Sequence, residues 1–212
     1  MSLPKTKILL VDDHAVVRAG FRYLLESQND IEVSEAASSE EAYRIYENLD
    51  PDVVVLDISM PGMGGIEGLR RLRNKYPKSR ILLLSMYDDA AFVARAVKMG
   101  AMGYITKNSA ADSLINAIDE VLAGRCYFSD DIAAQMQDQN KDFDSDTLAL
   151  SAREFEIFRL LAEGRAVSEI ANDLNLSPKT VSNHRSHLMD KLDLKTTAEL
   201  VHFAIRQGIV SA

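Results

Sequence analysis

The sequence predicts an α/β domain on a doubly wound, five-stranded parallel sheet, followed by a small all-α domain of four helices containing a helix-turn-helix. Three observations predict it. Apolar, β-branched runs alternate with helical patterns over residues 1–125. Two of those runs, Lys7–Val11 and Val53–Leu56, stop at carboxylates, Asp12-Asp13 and Asp57. From Leu150 onward every pattern is helical.

Strands read at Lys7–Val11, Ile31–Ala37, Val53–Asp57, Arg80–Ser85 and Gly103–Thr106. The two runs that end in aspartate are too apolar for a surface, so they are central parallel strands covered on both faces. Helical patterns lie between and after the strands, at Ala15–Ser27, Ser39–Leu49, Gly65–Tyr76, Ala90–Met99 and Ser109–Ala123. Ser38 or Ser39 before Glu40-Glu41 is a helix start with acids in its first turn. Gly100 and Gly124 follow apolar-periodic segments as C-cap glycines do. Pro51 and Pro77 stand where a helix has stopped and a strand follows. Ligand sites of such sheets lie outside the carboxyl ends of the strands. Asp12, Asp13 and Asp57 fall there, joined by Ser85 after the fourth strand and Lys107 after the fifth.

Residues 126–148 read as an acidic linker, helical over Asp131–Gln139 and irregular from Gln137 to Asp146. This stretch accounts for most of the net charge of −8. Residues 1–125 carry −3, residues 126–149 carry −5, and residues 150–212 are neutral, with eight charges of each sign. Whole-chain acidity therefore does not exclude a nucleic-acid partner for the C-terminal part.

In that part Ser151-x-x-Glu154 has the form of a capping box and opens Ala152–Glu163. Ser168 and Glu169 open Glu169–Leu174. Asn175-Leu176 is the turn. Ser177-Pro178 gives an N-cap with proline at the first helical position and opens Pro178–Leu192. Thr196 or Thr197 caps Ala198–Gln207. The pair Glu169–Leu174 and Pro178–Leu192 is the helix-turn-helix.

With 212 residues the chain suits one large or two small domains. A single cysteine, Cys126, excludes an intramolecular disulfide and fits a reducing cytoplasm; it reads as an inert, partly buried thiol. No apolar stretch approaches the ~20 residues of a membrane span, and no secretory signal precedes the first strand. The expectation is a cytoplasmic protein.

Carboxylates brought together at strand exits repel and raise one another's pKa. A divalent cation offsets that cost, and oxygen ligands suit Mg²⁺. Lys107 adds a positive charge and Ser85 a hydroxyl donor. Such a constellation stabilises a transferring phosphoryl group by position and electrostatics, with a carboxylate as nucleophile.

Asp12-Asp13, Val53-Val54-Val55-Leu56-Asp57, Met60-Pro61-Gly62-Met63-Gly64-Gly65, Ser85 and Tyr104-Ile105-Thr106-Lys107 resemble the receiver-domain pattern of two-component response regulators. Leu150-Ser151-Ala152-Arg153-Glu154 and Ser177-Pro178-Lys179-Thr180-Val181-Ser182-Asn183-His184 resemble the four-helix output domain of their NarL/FixJ (LuxR-type) subfamily. The resemblance implies a flavodoxin-like receiver over residues 1–125 and a helix-turn-helix output domain over 149–212. It implies a phosphorylation-dependent transcriptional regulator whose Asp57 is fed by a sensor histidine kinase. Asp13 and Asp57 would bind Mg²⁺, or Mn²⁺ in its place, with Asp12 through water and the Ser59 backbone carbonyl as a further ligand. Ser85 and Tyr104 would form the switch, and Lys107 would pair with the phosphoryl oxygens. Self-phosphorylation and slow self-dephosphorylation at Asp57 would be the only reactions, so the chain is not an enzyme in the usual sense. Promoter DNA, a second copy on activation and RNA polymerase are the further partners. One departure is Asn108, where many receivers carry proline; a cis bond costs more before Asn.

The exposed face of the second helix of the helix-turn-helix carries Lys179, Ser182, Asn183 and Ser186 for base edges. Lys179, Thr180, His187 and Lys191 are placed for phosphates. Val181, Leu188 and Leu192 face the core. His184 and His187 lack zinc-like partners, and His14 reads as a loop residue rather than a base. The last helix has more apolar positions than one face needs, which makes Ala198, Val201, His202 and Ile205 candidates for a homodimer surface. Two other classes remain open. Phosphohydrolases of similar chemistry carry a second Asp two residues after the nucleophile, where Ser59 stands. A DNA-binding protein with a degenerate receiver would not keep all five site residues.

Overall fold

The computed structural model describes residues 5–61, 63–86, 90–130, 132–133, 150–174, 176–207 and 209–210. The chain divides into two compact units, Met1–Gln139 and Asn140–Ala212.

In the first unit the strands β1 (Thr6–Val11), β2 (Ile31–Ala36), β3 (Val53–Asp57), β4 (Ile81–Ser85) and β5 (Gly103–Thr106) alternate with helices α1 (Ala15–Glu26), α2 (Ser39–Leu49), α3 (Gly64–Lys75), α4 (Ala90–Lys98) and α5 (Ala110–Leu122). The strand order is β2-β1-β3-β4-β5, and every pairing is parallel. Alternate strand residues point to opposite faces. Ile8, Leu10, Val53, Val55, Leu82, Leu84 and Ile105 share one core with Leu25 of α1 and Leu114, Ile118 and Val121 of α5. Leu9, Val11, Val54, Leu56 and Leu83 are also fully buried, and α2 packs on β1 and α3 on β3. Both faces are covered, which is why these strands read as unbroken apolar runs.

The expected helix ends hold to within one residue. The Ser38 hydroxyl accepts the Glu41 amide and caps α2. Gly100 and Gly124 adopt the left-handed conformation expected of them, with φ of 91° and 79°. No cis peptide bond occurs among the described residues.

The sheet carries one strand that the sequence does not announce. Tyr127–Phe128, β6, pairs in parallel with β5 and makes the sheet six-stranded. The Tyr127 amide donates to the Met102 carbonyl at 3.0 Å and the Ser129 amide to Tyr104 at 3.2 Å. Ile132 is fully buried. The expected linker therefore begins inside the receiver sheet. Cys126, just before β6, is exposed, not partly buried. The helix expected over 131–139 and the irregular stretch from Gln137 to Asp146 lie almost wholly outside the described residues.

The second unit consists of α6 (Ala152–Ala162), α7 (Val167–Asp173), α8 (Pro178–Lys191) and α9 (Thr197–Arg206). Ser151 and Glu154 form the expected capping box on α6, and Thr196 and Glu199 form another on α9. The α7 helix starts two residues earlier than expected, because Glu169 Oε2 reaches back to the Ala166 amide at 2.8 Å. The Ser177 hydroxyl accepts the Thr180 amide at 3.0 Å, with Pro178 in the first turn of α8. Helices α7, α8 and α9 each pack on α6. Phe158 of α6 sits between Phe155 and Phe203, 6.1 and 6.0 Å from their ring centres. Ile170, Val181, Leu188 and Leu200 complete the core.

Candidate functional site

The parallel register brings the expected residues to one end of the sheet. Asp57 is the last residue of β3, beside Leu84 of β4, and Ser85 is level with Thr106 of β5. Asp12, Asp57 and Ser85 are fully buried, and Asp13 is partly exposed. Lys107 follows β5 and turns its ammonium into the cluster. Its Nζ donates to Asp12 Oδ2 and to Asp57 Oδ2, both at 2.8 Å. The other oxygen of each carboxylate takes a backbone amide. His14 donates to Asp12 Oδ1 at 2.7 Å, and Ser59 donates to Asp57 Oδ1 at 3.1 Å. Arg18 of α1 donates to the Asp12 carbonyl at 2.6 Å.

Burial pushes the Asp57 carboxyl above the ordinary carboxylate range, with Lys107 and the Ser59 amide pulling it back. Burial works against the Lys107 charge, but Asp57 and Asp12 outweigh it and hold the ammonium above the ordinary lysine value. Three carboxylates and one ammonium leave the pocket with a formal charge of −2. Ligand atoms of Asp12, Asp13, His14 and Asp57 lie within 4.8 Å of one another. The buried Asp13 Oδ1 receives no hydrogen bond, although His14 Nδ1 stands 2.9 Å away. An unsatisfied buried oxygen in an oxygen-rich, doubly negative pocket fits a hard divalent cation. Tyr104 of β5 is fully buried.

The second expected site lies on α8. Lys179, Ser182, Asn183, Ser186 and His187 are exposed, while Val181, Leu188 and Leu192 are buried. Thr180 is half-buried and its hydroxyl is bonded to Ser177 at 2.8 Å. Lys191 is exposed, and its Nζ donates to Glu154 Oε2 of α6 at 2.6 Å. Burial works to raise the Glu154 pKa, but Lys191 and the Ser151 amide hold it below the ordinary range. Burial keeps the half-buried His184 below the usual histidine value.

Residues 8–119 match the response regulator receiver domain, and residues 148–204 match the bacterial regulatory proteins of the luxR family. The receiver match alone spans more than half of the chain. The chain is a two-component response regulator. It is 38% identical over 209 residues to the response regulator UvrY of Escherichia coli, covering 97% of this chain and 96% of UvrY. It is 39% identical over 215 residues to the oxygen regulatory protein NreC of Staphylococcus carnosus, covering 96% and 99%. Among solved structures it is similar to the response regulator RcsB of Salmonella enterica serovar Typhimurium bound to promoter rprA, with 27% identity and a TM-score of 0.59. That similarity covers 94% of this chain and 98% of RcsB.

In this response regulator the last helix buries Leu200, Phe203 and Ala204 and leaves Ala198 and His202 exposed and Val201 and Ile205 half-buried. No described helix is long and apolar enough to cross a membrane. The sequence missed three supports of the acidic pocket. They are the His14 amide on Asp12, Arg18 on the Asp12 carbonyl, and the buried Ser39 hydroxyl, which donates to Gly64 O at 2.9 Å just after the Asp57 loop. The first two lie in the α1 start and carry no mark in the sequence beyond their nearness to Asp12. Ser39 lies 25 residues from its acceptor, and nothing local signals it.

Proposed function

We propose that Asp57 is the phosphoacceptor of a cytoplasmic regulator that turns a sensor kinase signal into promoter binding. The observation that carries this reading is the Lys107 ammonium held at 2.8 Å from both Asp12 and Asp57. It keeps one oxygen of the nucleophile aimed at a fixed positive charge. An Asp57 oxygen attacks phosphorus, an O–P bond forms, and the P–N bond to the kinase histidine breaks. Lys107 then faces the new phosphoryl oxygens, with the Ser85 hydroxyl as a second donor. Asp13, Asp57 and the Ser59 carbonyl would hold Mg²⁺ or Mn²⁺, with Asp12 through water. The cation supplies charge neutralisation for the incoming phosphoryl group. Ser85 and the buried Tyr104 form the switch that relays occupancy. Slow hydrolysis at Asp57 resets it.

In the output domain Lys179, Ser182, Asn183 and Ser186 face base edges, and Lys179, Thr180 and His187 face phosphates. RcsB bound to a promoter is consistent with this use of the shared domain. Ala198, Val201, His202 and Ile205 form the surface on which a second copy pairs on activation. The modest positive charge of α8 makes such pairing useful for affinity. RNA polymerase is the partner downstream.

The test is incubation of the whole chain with a small acyl-phosphate donor and Mg²⁺, followed by intact mass. A single stable phosphoryl gain, absent in Asp57→Ala, is expected. Rapid multiple turnover of the donor, or no gain from donor or kinase, would overturn the reading. Asn183→Ala should in parallel abolish selection of a bound promoter fragment.

A further inference from the structure

Lys191 ends the reading helix with a cation on the side where phosphates are expected, yet its ammonium is committed within the domain. Glu154 Oε2, on a buried carboxylate, takes Lys191 Nζ at 2.6 Å and the Ser151 amide at 2.7 Å. The Glu154 amide returns a bond to the Ser151 hydroxyl at 3.2 Å, so the carboxylate is fixed from its own backbone. Lys191 itself is about two-fifths exposed. Moving that charge to a phosphate would strand a buried carboxylate, which is far costlier than leaving a surface cation unused.

We infer that Glu154 sets the DNA affinity of this response regulator by withholding Lys191 from the phosphate backbone. The inference rests on the reading of α8 as the DNA-facing helix. Of the three basic residues between Ser177 and Leu192, Lys191 is thereby removed from the phosphate footprint, leaving Lys179 and Arg185. Arg185 is itself turned to Thr197 Oγ1 at 2.9 Å. A small footprint keeps sequence-independent binding weak, because each neutralised phosphate adds to both affinity and salt dependence. The Ser151 amide shares the Glu154 oxygen and is the first backbone group of the α6 cap. A pull on the chain entering α6 therefore acts on the same oxygen that holds Lys191.

The test measures binding of the full chain to a labelled random-sequence duplex by fluorescence anisotropy across a potassium chloride series. Glu154→Gln keeps an acceptor for the Ser151 amide but drops the charge that holds Lys191. It should tighten binding at low salt and steepen the log–log salt slope by about 0.9, one phosphate. Lys191→Gln in the otherwise unchanged chain should leave the slope as it is, and adding it to Glu154→Gln should restore the original slope. The Lys191→Gln arm needs no change at Glu154, and its amide still donates to the carboxylate, so it reports even where Glu154→Gln does not fold. A slope that falls by about 0.9 in Lys191→Gln alone overturns the inference, because Lys191 would already be on a phosphate. So does a folded Glu154→Gln with an unchanged slope. Lys179→Gln is the control for the underlying reading. If it too leaves binding untouched, α8 does not face DNA and the inference falls with that reading.

Discussion

The Lys107 ammonium lies 2.8 Å from Asp57 Oδ2 although fifty residues separate the two in the chain. The same ammonium touches Asp12, so a single cation spans the exits of β1, β3 and β5. On the proposed function it is both a partner for Asp57 as nucleophile and a competitor for a divalent ion, and these roles respond oppositely to its removal. Lys107→Met should slow phosphoryl uptake from an acyl-phosphate donor by about 10²-fold, the usual effect of deleting one transition-state donor. It should at the same time tighten Mg²⁺ binding, because a neighbouring positive charge is gone. Intact mass against time measures the first and calorimetric titration with Mg²⁺ the second. Weaker Mg²⁺ binding in the variant would contradict this division of roles.

Gly65 is pressed against the backbone of Asp57 and Ile58. A Cβ there would meet the Asp57 carbonyl oxygen at 2.1 Å and Ile58 Cα at 2.6 Å. Both are backbone atoms, of the last residue of β3 and of the residue that follows it, so neither can step aside as a flexible side chain would. Gly65→Ala should therefore destabilise the receiver by about 1–3 kcal/mol and slow phosphoryl uptake. Gly20, inside α1, is the contrast: a Cβ there meets nothing within 4 Å. Gly20→Ala should stabilise by about 0.5–1 kcal/mol and leave uptake unchanged. Urea unfolding of both variants checks the opposite signs.

Acid should weaken the output domain in two stages. Burial holds His184 below its ordinary value of 6.5. Glu154 also stands below its ordinary 4.5: burial opposes this, but Lys191 and the Ser151 amide prevail. A depressed folded pKa means that the folded state binds fewer protons than the unfolded one, so stability falls with pH. The His184 contribution is complete above 6.5 and declines below it, and the Glu154 contribution follows below 4.5. Urea midpoints followed at Leu188 methyl resonances should drop through both windows. His184→Gln should flatten the upper one; an equally steep upper limb in that variant would assign it elsewhere.

The short strand β6 should matter to the receiver. A chain ending at Arg125 loses the pairing of Tyr127–Phe128 with β5 and the burial of Ile132. Burying one such side chain is worth about 1.5–3 kcal/mol, so the truncated receiver should be less stable by at least ~2 kcal/mol than one ending at Ala133. Equal unfolding midpoints would show the sixth strand to be incidental.

The central strands β1, β3 and β4 were legible because a parallel strand buried on both faces must be apolar at nearly every position, and such runs have few other uses. Their ends were legible for the opposite reason: carboxylates directly after an apolar run have no packing role. In β6 neither signal exists. Two half-buried residues make no period, and the acidic stretch after them resembles a linker. The Glu154–Lys191 pair was invisible for a different cause. The capping box explained Glu154 completely from local sequence, and a partner 37 residues away leaves no local mark. Exposure of Cys126 was misread because the residue type is usually buried, and the edge position that exposes it depends on β6.

Asp12 and Lys107 are 95 residues apart, and the pocket draws on four neighbouring strands from β1 to β5. A ribosome that has released only the first hundred residues has made Asp57 but not the Lys107 that pairs with it. On the proposed mechanism a nascent chain short of β5 lacks the donor that speeds phosphoryl uptake, so a kinase charges it about 10²-fold more slowly. The output helices emerge only after Lys107. On that mechanism, prompt phosphoryl acceptance selects for a receiver that has been synthesised through its fifth strand and has closed correctly.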